Sequence, residues 1–273
     1  MRILMMEGNT PALQRKAEAM GVRTASDIYS RAIRYFNPEA IIDVVKGTEA
    51  EFLPDGKSYV EYHGLVISGS SLHAYDQTPE VLNQIEGLKR FAETGKPILG
   101  SCWGLQIAVI AAGGEVGLSQ NGRELGIARK IQLTEAGKAH PFMAGKPSVY
   151  DAPCIHYDEV TVLPEQATLL SGNRHSPVQA AIIPVGQSEV WGVQYHPEFD
   201  IAQLRMLFEL YQEDMLKQGF VASDDQYNTL VRYYRQLEAH PDDAAIAWQL
   251  GIDQDVLNDD LRGAEIHNWL KQL

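Results

Sequence analysis

Apolar residues in the N-terminal part of this chain recur in two alternating rhythms. Arg2–Met6 is a short apolar run that reads as a strand, whereas Ser26–Tyr35 carries helical spacing. Ala40–Val45 predicts a second strand and Gly64–Ser68 a third. Thr78–Thr94 places Val81, Ile85, Leu88 and Phe91 at helical spacing between a polar start and Gly95, a helix with a glycine stop. Pro97–Ser101 is a further buried strand, and Leu105 to Ala112 a further helix. Strands alternating with helices imply an α/β fold, a mostly parallel open sheet flanked by helices, with active residues at the carboxyl ends of the strands. Residues 115–195 are richer in strands and turns, which predicts an extension at one edge of that sheet.

The rhythm changes near residue 200. Ile201, Leu204, Phe208, Tyr211 and Met215 repeat at helical spacing, as do Tyr227, Leu230, Val231, Tyr234 and Leu237. Ala244–Leu250 and Val256–Leu270 continue in the same manner. Gly219 and Ala222–Asp225 mark a joint, with Ser223 as an N-cap. The expected organisation is a catalytic domain over 1–218 and a C-terminal helical extension over 219–273, which covers sheet or dimer surface, docks a partner or lids the active site.

Composition narrows the function classes. The chain has 273 residues, 45% of them hydrophobic, enough for one α/β core and something extra. No run is long enough to cross a membrane, and MRILMMEGN reads as a strand entering a turn rather than a signal peptide. A net charge of −13 without a basic patch argues against nucleic acid as a partner. Two cysteines argue against a disulfide framework and for a reducing cytoplasm. Cys154 reads as a buried bystander, and no metal site or cofactor is expected.

The chemistry concentrates in Pro97–Gln106, PILGSCWGLQ. A single cysteine between Gly100 and Gly104, where a strand gives way to a helix, is how a fold presents a nucleophile at a tight turn. The glycines relieve crowding there, and the new helix aims its unpaired N–H groups and positive dipole end at the sulfur, favouring thiolate. A free cysteine also packs as a small hydrophobe, so a base elsewhere decides. Val190–Phe199, VWGVQYHPEF, supplies one: on extended backbone His196 and Glu198 point to the same side. One can deprotonate Cys102 while the other holds its imidazole.

GSCWGLQ followed far downstream by YHPEF resembles the class I, triad-type glutamine amidotransferases, in particular a stand-alone glutaminase domain like that of GMP synthase. The resemblance implies a flavodoxin-like fold and attack of the cysteine on the side-chain amide of glutamine, with ammonia leaving and water hydrolysing the γ-glutamyl thioester. By position Cys102, His196 and Glu198 match the triad. Gly64–Ser71, GLVISGSS, resembles the family's S-G-G-P oxyanion turn, with Gly69 matching and Ser70 in place of the second glycine. A backbone donor does not depend on its side chain, so Ser70 can still serve if its backbone is allowed. The second oxyanion donor is the N–H of Trp103. Gln106 matches a substrate-contacting glutamine one helical turn past Cys102. Cys154–Val160, CIHYDEV, resembles the S-H-x-D-x-V strand whose backbone near Ile155 and His156 binds the α-amino and α-carboxylate groups of glutamine. Arg123–Gly126, RELG, resembles a further signature whose role the sequence does not separate from a turn.

The resemblance implies glutamine or another γ-glutamyl small molecule as substrate. The acidic helical tail is too short for an ATP-using synthase and no G-x-x-x-x-G-K-[ST] loop is present, so an ammonia acceptor would be a separate synthase subunit. A stand-alone γ-glutamyl amide or peptide hydrolase would use the same thioester chemistry. The alternative of another class is a non-enzymatic cysteine-elbow redox or regulatory protein. A homo-oligomer is also compatible with the pattern.

Overall fold

The structure, a computed structural model, describes residues 1–50 and 53–273. Strand β1 (Arg2–Glu7) is apolar and buried on both faces, as a central parallel strand must be. Helix α1 (Pro11–Ala19) follows, then α2 (Ala25–Phe36), started by Thr24, whose hydroxyl accepts the Asp27 N–H at 3.2 Å. Ile28, Tyr29 and Ile33 give α2 its buried face. Strand β2 (Ile41–Lys46) lies at the sheet edge, with Ile41 and Val44 exposed. After β3 (Gly64–Ile67), α3 (Pro79–Ala92) buries Val81, Ile85, Leu88 and Phe91, the residues whose spacing predicts it. Strand β4 (Ile98–Ser101) leads into α4 (Trp103–Ala111), which is buried on nearly every side.

The next stretch supplies β5 (Glu115–Leu118), β6 (Glu124–Leu133), α5 (Glu135–Ala139), β7 (Val149–His156), β8 (Asp158–Val162), β9 (Thr168–Gly172), β10 (Ala180–Val185) and β11 (Ser188–Val193). Among the described residues the main sheet has nine strands in the order β2-β1-β3-β4-β11-β10-β9-β6-β7, and β5 pairs with β8 apart from it. From β2 to β11 the neighbours are parallel. From β11 outward they are antiparallel, beginning with a hairpin whose turn places Gly186 at φ 55°. The stretch expected as an edge extension thus contributes five of the nine strands, β11 parallel to β4 and the other four antiparallel beyond it.

β4 and β11 lie side by side, with Val193 opposite Ser101. The first residues beyond their carboxyl ends are therefore neighbours, which fixes where the chemistry falls. The chain leaves β1 for β2 on one side and for β3 and β4 on the other, so the carboxyl ends of β1 and β3 flank a switch point of the kind where α/β proteins bind ligands.

Helix α6 (Ile201–Leu210) starts on Asp200, whose carboxylate accepts the Gln203 N–H at 2.7 Å. Its periodicity runs on into α7 (Gln212–Lys217), with a break at Tyr211. Ser223 caps α8 (Asp224–Ala239) as its position predicts, accepting the Gln226 N–H at 3.3 Å. Helix α9 (Ala244–Leu250) follows. The apolar pattern over Val256–Leu270 forms three short helices, α10 (Gln254–Leu257), α11 (Asp259–Arg262) and α12 (Ala264–Leu270). Asn258 ends the first by capping the second, and Gly263 passes so close to Phe36 that a Cβ would lie 2.7 Å from its ring.

These helices are not detached from the sheet. Ile266, Trp269 and Leu270 share one apolar cluster with Ile3, Met5, Tyr29 and Val193, while Tyr227, Val231 and Tyr234 share another with Leu204 and Phe208. Beneath α12 the Lys146 ammonium lies 3.2 Å from the Glu265 carboxylate, and neither side chain is exposed. Tyr195, next to His196 in sequence, donates its hydroxyl to the same carboxylate at 2.5 Å. No helix among the described residues is long and apolar enough to cross a membrane.

Candidate active site

Cys102 sits between β4 and α4 at φ 48° and ψ −96°, a conformation that costs an L-residue about 1–3 kcal/mol and persists only where the surroundings enforce it. The Cys102 N–H donates to Val193 O at 2.7 Å, continuing the β4–β11 ladder, and the Cys102 carbonyl accepts the Gln106 N–H at 3.1 Å, opening the helix. The flanking glycines are required by close approach. A Cβ on Gly100 would lie 2.7 Å from the Gly104 carbonyl carbon, and one on Gly104 would lie 2.9 Å from Ile67 O. Trp103 is the first residue of α4, so its N–H has no partner within the helix. The thiol touches Ile155 O at 3.7 Å.

His196 follows β11 and is buried, with its ring stacked on Phe199 at a centroid distance of 4.0 Å. Its Nδ1 is 2.7 Å from Glu198 Oε1, while Nε2 has no hydrogen-bond partner among the described residues. One nitrogen is thus held and the other left to serve the thiol, the aim that a base in such a site requires. Ser101 donates its hydroxyl to Glu198 Oε1 at 2.9 Å, holding the carboxylate from behind. Burial pulls the imidazole's pKa down, but the Glu198 charge and contact with Cys102 outweigh it and raise it to about 10. A raised value means that the folded state favours the imidazolium. The resulting stabilisation is complete below the unfolded value of 6.5 and is lost as pH rises through about 10.

Glu198→Gln removes the charge and leaves the burial. The alkaline limb of kcat/KM is expected to move to lower pH, and the rate to fall by up to about 10⁴-fold, the scale seen when a triad carboxylate becomes an amide. A pH–rate profile measures both, and a limb that stays in place overturns this role for Glu198.

The cleft over Cys102 is also lined by Gly69, Ser70, Gln106, Ile155, His156, His196 and Glu198, so these sequence-predicted residues come together. Trp103 does not line it. Its indole is buried and donates to Gln84 at 2.7 Å, which leaves only its main-chain N–H for the site. Gly69 runs against the base, where a Cβ would lie 3.0 Å from His196 Cε1. Ser70 does not have a positive φ, so serine occupies the second-glycine position without backbone strain. Its hydroxyl donates to Gly8 O at 2.9 Å and accepts the Leu72 N–H at 3.2 Å, pinning the loop.

Gln106 uses its amide nitrogen internally, donating to Asp158 O at 3.0 Å and Gln194 Oε1 at 3.3 Å. The His156 ring is likewise engaged on both sides, by Asp158 O at 3.0 Å and Glu124 Oε2 at 2.9 Å. Burial pushes the Glu124 carboxyl up, but hydrogen bonds from His156, Asn173 and Gln179 more than offset this and hold it low. His156 therefore shapes the strand, and the carbonyl of its neighbour Ile155 is the group that meets the thiol.

Sequence reasoning did not single out Ser101, Phe199 or α1. Ser101 lies inside the motif but acts on Glu198, a contact made only in three dimensions. The Thr10-Pro11 pair carries the α1 start signal, yet the helix buries no residue fully and shows little apolar rhythm. The cleft, about 790 Å³, runs from Cys102 toward α1 on one side and the α6–α7 junction on the other.

A sheet with a parallel half and a thiol, an imidazole and a carboxylate gathered at its carboxyl ends defines an α/β enzyme of the cysteine-elbow kind. The family glutamine amidotransferase class-I matches residues 31–211, and the chain belongs to that family. It is 35% identical over 204 residues to a γ-glutamyl-L-1-hydroxyisopropylamide hydrolase from a Pseudomonas species, covering 72% of this chain and 68% of that one. It is 30% identical to γ-glutamyl peptidase 5 of Arabidopsis thaliana, covering 62% of this chain and 64% of the relative. A glutamine-hydrolysing GMP synthase of Lactococcus lactis is 32% identical over 140 residues, covering 50% of this chain and only 24% of the synthase. A glutamine amidotransferase from Thermotoga maritima shares the fold with a TM-score of 0.64 at 16% identity, over 99% of this chain and 96% of that one.

Proposed function

We propose that the chain hydrolyses the γ-amide bond of glutamine or of a substituted γ-glutamyl amine through a thioester on Cys102. The observation that carries this is the β4–β11 pairing, which sets the strained cysteine beside a histidine whose far nitrogen is held by Glu198. The thiolate attacks the γ-carbonyl carbon, and the Ser70 and Trp103 N–H groups hold the oxyanion. His196 gives its proton to the departing nitrogen, the C–N bond breaks, and the amine leaves. His196 then takes a proton from water as the hydroxyl adds to the thioester, and glutamate leaves as the thiolate re-forms. Glu198 positions the ring throughout.

With glutamine as substrate the leaving group is ammonia, and its acceptor site lies on a separate synthase chain. The stand-alone reading has its own support in the length of the cleft, which glutamine alone would not fill, and in the Pseudomonas and Arabidopsis relatives. Residues 1–218 carry the chemistry in this reading, and 219–273 serve as the helical extension that buttresses it. Two free, buried cysteines suit a cytoplasmic enzyme.

Mass spectrometry of the purified chain with glutamine and a panel of γ-glutamyl amines and peptides tests the reading. Glutamate release is the expected result. Preference for glutamine supports ammonia supply, preference for a substituted amide supports stand-alone hydrolysis, and no turnover of any member sinks both.

A further inference from the structure

Arg123, just ahead of β6, is buried with 8% of its surface exposed, and its guanidinium uses only part of its donor set within the protein. Its guanidinium lies between two aromatic faces, 4.5 Å from the Tyr157 ring centre and 4.2 Å from that of Tyr211. One nitrogen donates to the Tyr157 hydroxyl at 3.2 Å, and Asp214 stands 3.7 Å away, outside hydrogen-bond distance. Nε has no partner. A guanidinium stays charged at any ordinary pH and offers five donors in a planar fork. Two ring faces recover only part of the hydration that burial removes. The group is thus held in place with donors to spare, and it lines the cleft that holds Cys102. The other basic groups there differ, since Arg23 is already paired with Asp200 at 2.9 Å and Lys16 is exposed.

Register gives the reach. Cys102 touches Ile155 O, Ile155 pairs with Leu125, and Arg123 lies two residues beyond Leu125, about 7 Å along a strand. Arg123 thus stands off from the thiol by one strand pairing and two residues, at the end of the cleft that Tyr211 and Asp214 also line. We propose that Arg123, held by Tyr157 and Tyr211, is the receptor for a substrate carboxylate and thereby selects substrates, a proposal that rests on the γ-glutamyl hydrolase reading above. The carboxylate is that of an amino-acid leaving group, since the α-carboxylate of the γ-glutamyl group falls to the backbone near Ile155 and His156 in the reading above.

The test compares kcat/KM of wild type, Arg123→Met and Arg123→Lys on glutamine, γ-glutamylethylamide, γ-glutamylglycine and 4-aminobutanamide, which lacks the α-carboxylate. Loss of a charge-assisted fork predicts a fall of about 10–100-fold for Arg123→Met, with partial recovery in Arg123→Lys. The expected result is a fall confined to γ-glutamylglycine. A joint fall of the three γ-glutamyl substrates would place the contact on the α-carboxylate and overturn the proposal. Equal loss on all four, or loss on none, overturns the proposal. A binding measurement separates it from the hydrolase reading: γ-glutamylglycine is titrated calorimetrically into Cys102→Ala with and without Arg123→Met. Affinity that depends on Arg123 upholds the receptor even where the wild type turns over nothing, and absent or unchanged affinity overturns it. Asp214→Asn, which removes the nearest competing anion, is expected to lower KM for the responsive substrate, and a raised KM counts against the site.

Discussion

Replacing Cys102 with alanine is expected to reduce glutamate release by at least about 10⁴-fold, since loss of a triad nucleophile removes every step that passes through the covalent intermediate. The fold is expected to survive. Alanine keeps the Cβ, so the backbone at φ 48° carries the same strain, and both hydrogen bonds that enforce the turn are main-chain bonds to Val193 and Gln106. The packing of Gly100 on Gly104 and of Gly104 on Ile67 is untouched. Glutamate release and a thermal melt are measured on the same preparation. An unchanged melting temperature with activity lost separates chemistry from folding, and retained turnover would falsify the assignment of Cys102.

The second large effect is on stability. Lys146→Met is expected to destabilise the protein by about 3–5 kcal/mol, the usual penalty for stranding one partner of a buried ion pair. Lys146 and Glu265 are both fully buried, and the ammonium also donates to Leu261 O at 3.1 Å. Without it, Glu265 keeps the Tyr195 hydroxyl but loses its counter-charge. At about 2–4 °C per kcal/mol for a domain of similar size, the melting temperature falls by roughly 10 °C. Replacing both residues by apolar ones, Lys146→Met with Glu265→Leu, is expected to recover much of the loss, because it removes the stranded charge. Denaturant titration reads both variants. A loss below about 1 kcal/mol for Lys146→Met would show the pair to be solvated, against its zero exposure. Because Tyr195 precedes His196, activity is expected to fall before global unfolding. That would tie residues 219–273 to the catalytic base.

Helices α2 and α3 were legible because each buries its own periodic face, and β1, β3 and β4 because short apolar runs mark strands buried on both faces, whereas α1, with no buried residue, was not. Val81, Ile85, Leu88 and Phe91 announce α3 without help from any other part of the chain. Residues 256–270 show the limit of that logic. Their apolar rhythm is continuous, but the helix breaks at Asn258 and Gly263, where capping and contact with Phe36 prevail. The antiparallel half was underestimated for a related reason. Strands with short turns look alike wherever they pair, and pairing over long separations leaves no local mark.

At the site, the cysteine, histidine and carboxylate of the proposed triad were readable because covalent catalysis restricts which residues can serve and glycine spacing marks the turn. Arg123 was visible only as part of RELG, since its clamp is built from Tyr157 on one side of the cleft and Tyr211 on the other. Gln106 and His156 line the cleft, and their side chains are held by Asp158, Gln194 and Glu124, contacts that no local pattern announces.

By itself, then, the sequence determined the nucleophile elbow, the histidine and carboxylate that follow the last strand, and the alternation that makes the sheet. Each is a short-range pattern whose chemistry or periodicity is complete within a few residues. Tertiary structure alone decided that β11 lies against β4, that α12 seals the sheet through Lys146 and Glu265, and that Arg123 reaches the cleft between two tyrosines. Those outcomes depend on burial and charge pairing among residues far apart in the chain, where the free energy belongs to the assembled neighbourhood and to no single segment.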